Sequence, residues 1–226
     1  MVHRVIERYN EGCLESSAQR LNSSVVCELA AECGFALAGV SASCPVHDYS
    51  RFQSWVDRGL AGEMRYLTDH RATKRSHPES LLPGVRSVIS VGMLYNGPEP
   101  HSTEFSNPER AWISRYAWGE DYHDVIRAKL EVLASKLLQV EEFKWRACVD
   151  TAPLLERSLA RQAGLGWIGK NTCLINQQLG SWFFLGELLT TLEMASDFQA
   201  PACCGSCTRC IDACPTQAIV PVAQGE

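Results

Sequence analysis

The chain has 226 residues, 46% of them hydrophobic, and a formal net charge of −5. That length and apolar content allow one large domain, or one medium domain with a small appendage, and exclude an intrinsically disordered chain. The acidic balance excludes a strongly basic nucleic-acid-binding domain, though it permits a local basic patch.

In chain order, Ser23 to Cys33 reads as a helix, with Val25, Val26, Leu29, Ala30 and Cys33 on one face and Gly34 as its stop. Phe35 to Val40 follows as a short buried strand. Asp48 to Leu67 reads as two short helices broken at Gly59, and Ser87 to Tyr95 as a strand. Residues 96–110 hold Gly97, Pro98, Pro100 and Pro108 and form a long loop, of a kind often used for function. The clearest helix runs from Asp121 to about Val140. Asp121 is its N-cap, and Val125, Leu130, Leu133, Leu137 and Val140 form its apolar stripe. A strand is expected from Trp145 to Val149. Pro153 then opens a helix that ends near Gly164. Asn171 to Asn176 and Trp182 to Leu192 read as two strands joined by a tight turn at Gln178-Leu179-Gly180. Helices and strands mix without a strict βαβ rhythm, so the expected class is α+β, with a layered domain over residues 1–195 and a small cysteine-rich domain over residues 196–226.

The start, Met1 to Arg8, has no apolar signal region, and no apolar run is long enough to span a bilayer. The chain has 11 cysteines without a disulfide-framework spacing. A reduced, cytoplasmic setting is expected. Cys13, Cys27, Cys33, Cys44, Cys148, Cys173 and Cys203 then read as small buried apolar groups.

The strongest chemical signal is Cys204-x-x-Cys207-x-x-Cys210-x-x-x-Cys214-Pro215, a ferredoxin-type iron–sulfur spacing. Paired C-x-x-C units also bind zinc, but zinc sites use separated pairs rather than three close cysteines followed by C-P. In two-cluster proteins the fourth cysteine belongs to the other cluster, and no second cysteine run follows. Either one cluster takes all four cysteines or a non-cysteine ligand, or the sequence lacks a C-terminal half that completes both clusters. The second is preferred.

Four further features carry possible chemistry. Asp150 stands where a strand meets a helix, either as a general acid or as a plain helix N-cap. Gly164, Gly166 and Gly169 allow close backbone approach to a ligand, with Lys170 within reach of a phosphate. Asn171 breaks the phosphate-loop spacing, which excludes a nucleoside triphosphatase. Arg65, His70, Arg71, Lys74, Arg75 and His77 form a basic cluster, for a phosphate-bearing partner or as a solvated face. Arg115, Tyr116, Trp118, Tyr122 and His123 line a cofactor pocket or are core.

Taken in order, these stretches resemble the epoxyqueuosine reductase family. They are Arg115-Tyr116-Ala117, Gly119 and Asp121-Tyr122-His123, then Asp150-Thr151 with Pro153-Leu154-Leu155-Glu156-Arg157. Gly164 to Thr172 and the Cys204 motif complete the set. The likeness runs from about Ser23 to Ile219. It implies a nitroreductase-like α+β domain holding base-off cobalamin, then a partial ferredoxin-like domain with [4Fe–4S] clusters, two in the family, ligated here by Cys204, Cys207, Cys210 and Cys214. It implies reduction of the epoxide of epoxyqueuosine in tRNA to the alkene of queuosine, the last step of queuosine synthesis. Asp150 matches the family's proton donor, and Arg115, Tyr116, Lys170 and Asn171 are the expected cobalamin contacts. The implied partners are the tRNA and an electron donor such as a flavodoxin or ferredoxin, acting on a monomer. Family members continue past residue 226 with a second cysteine set and a helical-repeat region, so a C-terminally truncated form is expected. The alternatives are a corrinoid-dependent reductive dehalogenase, an electron carrier and an inactive remnant.

Overall fold

Residues 21–220 are described by the structure, a computed structural model. Cys13 lies outside them.

The two most apolar strand sequences become the two central strands. They are β2 (Ser87–Leu94) and β6 (Phe183–Thr190), each eight residues long. Flanked by β1 (Leu37–Ala42) and β3 (Trp145–Cys148), they form a four-stranded antiparallel sheet in the order β1-β2-β6-β3. Both faces of β2 and β6 are covered, which is why their sequences read as continuous apolar runs.

One face carries Val40, Ile89, Val91 and Leu188, with α1 (Ser23–Glu32) and α3 (Tyr122–Leu138) against it. Ile126, Leu130, Leu133, Ala134 and Leu137 of α3 are buried there. Each fully buried Leu or Ile contributes about 1.5–3 kcal/mol, so this face is the main source of stability. The opposite face packs Val88, Leu189 and Cys148 against Leu159 of α4 (Glu156–Gln162). There, a Cβ on Gly39 would lie 2.0 Å from the Ala163 carbonyl oxygen. Only glycine lets the end of α4 come this close to β1.

The free edge of β1 is covered by the chain after the sheet. Val40 N donates to Asp197 Oδ2 at 2.7 Å and Ala42 N donates to Ser196 Oγ at 2.8 Å. Those bonds remove the exposed donors that make an edge strand prone to mispairing.

Several sequence expectations shift. Asp121 caps α3 as expected, its Oδ1 accepting from His123 N at 2.9 Å, but the helix ends at Leu138 and Val140 is 48% exposed. The expected pair of helices before Leu67 is α2 (Tyr49–Asp57) and a single 3₁₀ turn at Arg65–Leu67. Pro153 does not open a helix: bends run to Leu154, and α4 starts at Glu156. Asn171–Asn176 and Trp182–Leu192 do not pair with each other. β5 (Leu174–Ile175) pairs with β4 (Trp167–Ile168), while β6 joins the main sheet between β2 and β3, where α3 and α4 cover its two faces. Only the Asn176–Gly180 bridge survives of the expected hairpin. Cys33 and Cys148 are buried as expected, but Cys173 and Cys203 are exposed.

Candidate active site

Asp150 follows β3 directly, at the edge of the sheet where α3 begins. Its φ is +48°, a left-handed backbone that non-glycine residues avoid at a cost of about 1–2 kcal/mol. It is not a helix cap. The cap position of α4 is Leu155, and the Asp150 carboxylate points instead to α3, with Oδ2 3.2 Å from His123 Nε2. The other ring nitrogen, His123 Nδ1, lies 2.7 Å from Asp121 Oδ1. A carboxylate, an imidazole and a second carboxylate are thus in line. Burial pulls the His123 imidazole down, but hydrogen bonds to Asp121 and Asp150 outweigh it and leave the ring raised above its ordinary value.

Tyr122 joins this line to a cavity. Burial first, then the Asp150 carboxylate that its hydroxyl meets, push the Tyr122 phenol well up. Its ring stacks on Phe184 at 4.2 Å and lies against His123 at 4.1 Å. The cavity beside it has about 420 Å³, with Met93, Leu94, Val125 and Phe184 as its apolar lining and Arg115, Trp118 and Tyr122 among its polar and aromatic walls. That volume is in the range of small-molecule sites. From Trp118 on the wall a run of half-exposed rings continues through Trp112 to Phe105, with centroids 5.8 and 4.9 Å apart in turn.

Arg115 is buried and holds one wall. Its guanidinium donates to Asn96 Oδ1 at 2.7 Å and to the carbonyls of Gly97, Glu99 and Pro100 at 3.0, 2.6 and 2.9 Å. It also lies 5.0 Å from the Trp182 ring and 5.4 Å from that of Trp118. The long proline-rich loop is therefore built around one side chain. Tyr116, its neighbour, is 54% exposed and does not line the cavity.

The glycine-rich stretch serves the chain's own backbone. A Cβ at Gly166 would lie 2.2 Å from the Ile175 carbonyl oxygen, and one at Gly169 2.6 Å from Ile175 Cδ1. These glycines let β4 and its turn fold against β5. Lys170 leaves this turn and donates to the carbonyls of Gly205 and Cys207 at 2.8 and 2.9 Å, and Asn171 Oδ1 accepts from Cys173 N at 3.2 Å. Lys170 and Asn171 thus sit on the cysteine-rich side, away from the cavity lining.

In the tail, Cys207 N donates to the Cys204 carbonyl, and the short α5 (Arg209–Asp212) carries Cys210. Among the described residues no three metal-ligating side chains are gathered as a group. The chemistry of the donor set nonetheless fits a thiolate-held cluster. Hydrogen bonds from the Ile219 backbone first, then from the Thr216 side chain, draw the Cys214 thiol down to about 7, toward the thiolate that binds metal.

The basic cluster is partly self-consumed. Arg71 pairs with Asp69 at 2.8 Å, and Arg75 is buried over Phe52 at 5.7 Å. Arg65, His70 and Lys74 remain exposed.

Two carboxyl groups behind Asp150 escaped the sequence reading of the site. Glu156 Oε1 accepts from Asp150 N at 2.6 Å, and Glu187, 0% exposed in the middle of β6, meets Glu156. The available signal was a single acidic residue inside the apolar run Phe183–Thr190.

The fold and site together define a mixed α/β domain with a carboxylate-bearing cavity and a cysteine-rich appendage. Residues 75–151 match the family model described as epoxyqueuosine reductase QueG, DUF1730. Over 195 residues the chain is 47% identical to the epoxyqueuosine reductase of Xanthomonas campestris pv. campestris, covering 85% of this chain and 55% of that protein. The structure of epoxyqueuosine reductase from Streptococcus thermophilus aligns at a TM-score of 0.76 and 32% identity, over 87% of this chain and 53% of that one. An epoxyqueuosine reductase bound to a tRNA-Tyr epoxyqueuosine-modified stem loop aligns at 0.72 and 31%, over 87% and 52%. The Bacillus subtilis enzyme, described with a catalytic aspartate loop swung out of its active site, aligns at 0.71 and 30%, over 87% and 52%. The chain is a relative of the epoxyqueuosine reductases, as its motifs suggested. It spans about half the length of the curated relatives it matches. A reductive dehalogenase is a far weaker match, at 17% identity and a TM-score of 0.47, and that alternative is not favoured.

Proposed function

We propose that this chain supplies the acid-bearing part of an epoxyqueuosine reductase that reduces epoxyqueuosine in tRNA to queuosine. One observation carries the reading: Asp150 meets His123 and Tyr122, and Tyr122 lines an apolar, aromatic-walled cavity. The likeness to an enzyme whose structure holds an epoxyqueuosine-modified tRNA stem loop supports the substrate class. A tRNA substrate fits a cytoplasmic setting.

The cavity would take part of a cobalamin, its apolar lining of Met93, Leu94, Val125 and Phe184 and the Trp118 ring fitting the apolar surface of a macrocycle. Cys204, Cys207, Cys210 and Cys214 would hold iron–sulfur clusters, in a ferredoxin-like domain from residue 196 onward behind a nitroreductase-like domain. Bound cobalamin would supply the electron-rich centre that opens the epoxide, and the clusters would supply its electrons.

The protein's own part is binding and protons. Reduction of an epoxide to an alkene takes up two electrons and two protons and releases water. The ring oxygen departs as an alkoxide unless an acid protonates it. Asp150 is 60% exposed at its side chain, so it can reach a bound nucleoside. When His123 is protonated, its Nε2 donates to Asp150, which keeps an exchangeable proton beside the acid. Arg115 fixes the loop that walls the cavity, and Lys170 ties the cysteine-bearing loop to the main domain.

The test is turnover of epoxyqueuosine-tRNA by the chain loaded with cobalamin, iron and sulfide, under a chemical reductant. Asp150→Asn should lower the rate by roughly 10²–10⁴ without changing the fold. An undiminished rate removes the acid role, and no turnover by the loaded wild type removes the reading. Iron and labile sulfide per chain report whether the four cysteines hold a cluster.

A further inference from the structure

Asp150 stands in the left-handed backbone region, with φ +48°, which non-glycine residues seldom occupy and aspartate tolerates better than most. Something must hold it. Its N–H donates to Glu156 Oε1 at 2.6 Å, a short, charge-assisted bond across the turn between β3 and α4. Glu156 is itself oriented from below. Glu187, on the face of the sheet under α4, is wholly buried, and neither of its oxygens finds an N–H or hydroxyl donor among the described residues. What they meet is the carboxyl of Glu156. Two carboxylates in contact repel, and a carboxyl–carboxylate contact is attractive only when one of them carries a proton.

We infer that Glu156 and Glu187 form a proton-sharing carboxyl pair that positions Asp150, Glu187 fixing Glu156 and Glu156 fixing the Asp150 backbone. The inference rests on the acid role proposed for Asp150, but its first readout does not require that role.

The surroundings agree. Across the sheet, Glu187 faces neutral groups: Ser90 on β2 and Cys148 on β3. The Cys148 thiol is pushed up to about 12, first by burial and then by the Glu187 charge, so it stays protonated. Arg146 lies beside Cys148 on β3, and Tyr122 of α3 approaches Glu156. Arg157 on α4 lies near Glu156, and Asp150 adds a repulsive charge to both carboxyls. Burial leads in raising both members of the pair, Glu156 to about 7 and Glu187 well above its ordinary value. Below about pH 7 both carboxyls are protonated; above it Glu156 ionises while Glu187 keeps the proton that it donates to Glu156. Only at pH well above about 7 does that last proton leave, and only then does the pair repel.

The experiment is hydrogen–deuterium exchange, followed by mass spectrometry, of the segment containing Asp150 and Thr151, in wild type, Glu156→Ala, Glu156→Gln and Glu187→Gln. At pH 6, Glu156→Ala should exchange this segment roughly five- to tenfold faster than wild type, as expected for one lost hydrogen bond. Glu156→Gln keeps an acceptor and should stay within about twofold. After correction for intrinsic exchange, wild type should tighten as pH rises through about 7, where Glu156 ionises, and open again at higher pH as the shared proton leaves, whereas Glu187→Gln should lack that second opening because its amide donates without titrating. In the loaded enzyme, Glu156→Ala should lower kcat at least tenfold with KM little changed, since positioning an acid matters in the transition state. Wild-type exchange in Glu156→Ala overturns the inference. If Glu156→Ala does not fold, a wild-type opening at high pH in Glu187→Gln overturns it. Fast exchange with no turnover in the loaded wild type keeps the pair as a holder of the turn and removes only the catalytic reading.

Discussion

Arg115→Ala should destabilise the chain by about 2–4 kcal/mol. The side chain makes four hydrogen bonds, one to Asn96 and three to the carbonyls of Gly97, Glu99 and Pro100. Bonds to a charged donor contribute about 1.5–3 kcal/mol each when the freed partner stays buried. Here Asn96, Glu99 and Pro100 are exposed, so their oxygens regain water and most of that gross value is recovered. The lost contacts to Trp118 and Trp182 add about 0.5–1 kcal/mol. For a domain of this size each kcal/mol moves Tm by about 2–4 °C, so a drop of roughly 4–16 °C is expected in a thermal melt followed by circular dichroism. Arg115→Lys should lose about half as much, because one ammonium cannot span four acceptors laid out for a planar fork. Limited proteolysis should cut both variants faster between residues 96 and 113. A Tm within about 2 °C of wild type, with no new cleavage there, would refute the claim that this one side chain holds the loop.

Gly39→Ala puts a methyl group 2.0 Å from the Ala163 carbonyl, a backbone atom that cannot turn away. A loss of about 2–3 kcal/mol is expected in chemical denaturation, and an unchanged midpoint would show that α4 has room to move. His123 is raised by Asp121 and Asp150, so its contribution is complete below the unfolded value of about 6.5 and fades as pH rises through its folded value. Melts of His123→Asn should therefore differ from wild type below that value and converge with it at higher pH; a constant gap speaks against the ion pair. Lys170→Met removes both bonds to the cysteine-bearing loop. After reconstitution it should retain severalfold less iron and labile sulfide than wild type, while the melting of the main sheet stays the same. Equal iron retention would show that the loop does not depend on this lysine.

The sequence by itself determined the elements whose signals are local. The helix α3 and its Asp121 cap are set by periodicity and by a side chain two residues from the N–H it accepts. The strand at Ser87–Leu94 is set by its apolar run, and the order of motifs was enough to show the family likeness. Asp150 was legible as a candidate, but two roles were open, because a strand–helix junction supports both a cap and a projecting acid. Distance decided between them: the carboxylate faces His123, 27 residues earlier in the chain, and the cap position belongs to Leu155.

Other features could only come from the tertiary structure, because each depends on a partner remote in sequence. Lone glycines at 39 and 166 say nothing until a carbonyl is seen pressed against them. Arg115 reads as a ligand contact until its guanidinium is found filled by its own loop. Trp182–Leu192 pairs with β2 and β3 rather than with its near neighbour, since burying both faces of an apolar strand outweighs a two-residue ladder. Glu187 looked like one misplaced charge in a strand. Only the packing of α4 over the sheet brought it to Glu156, and so linked a buried carboxyl in the core to Asp150.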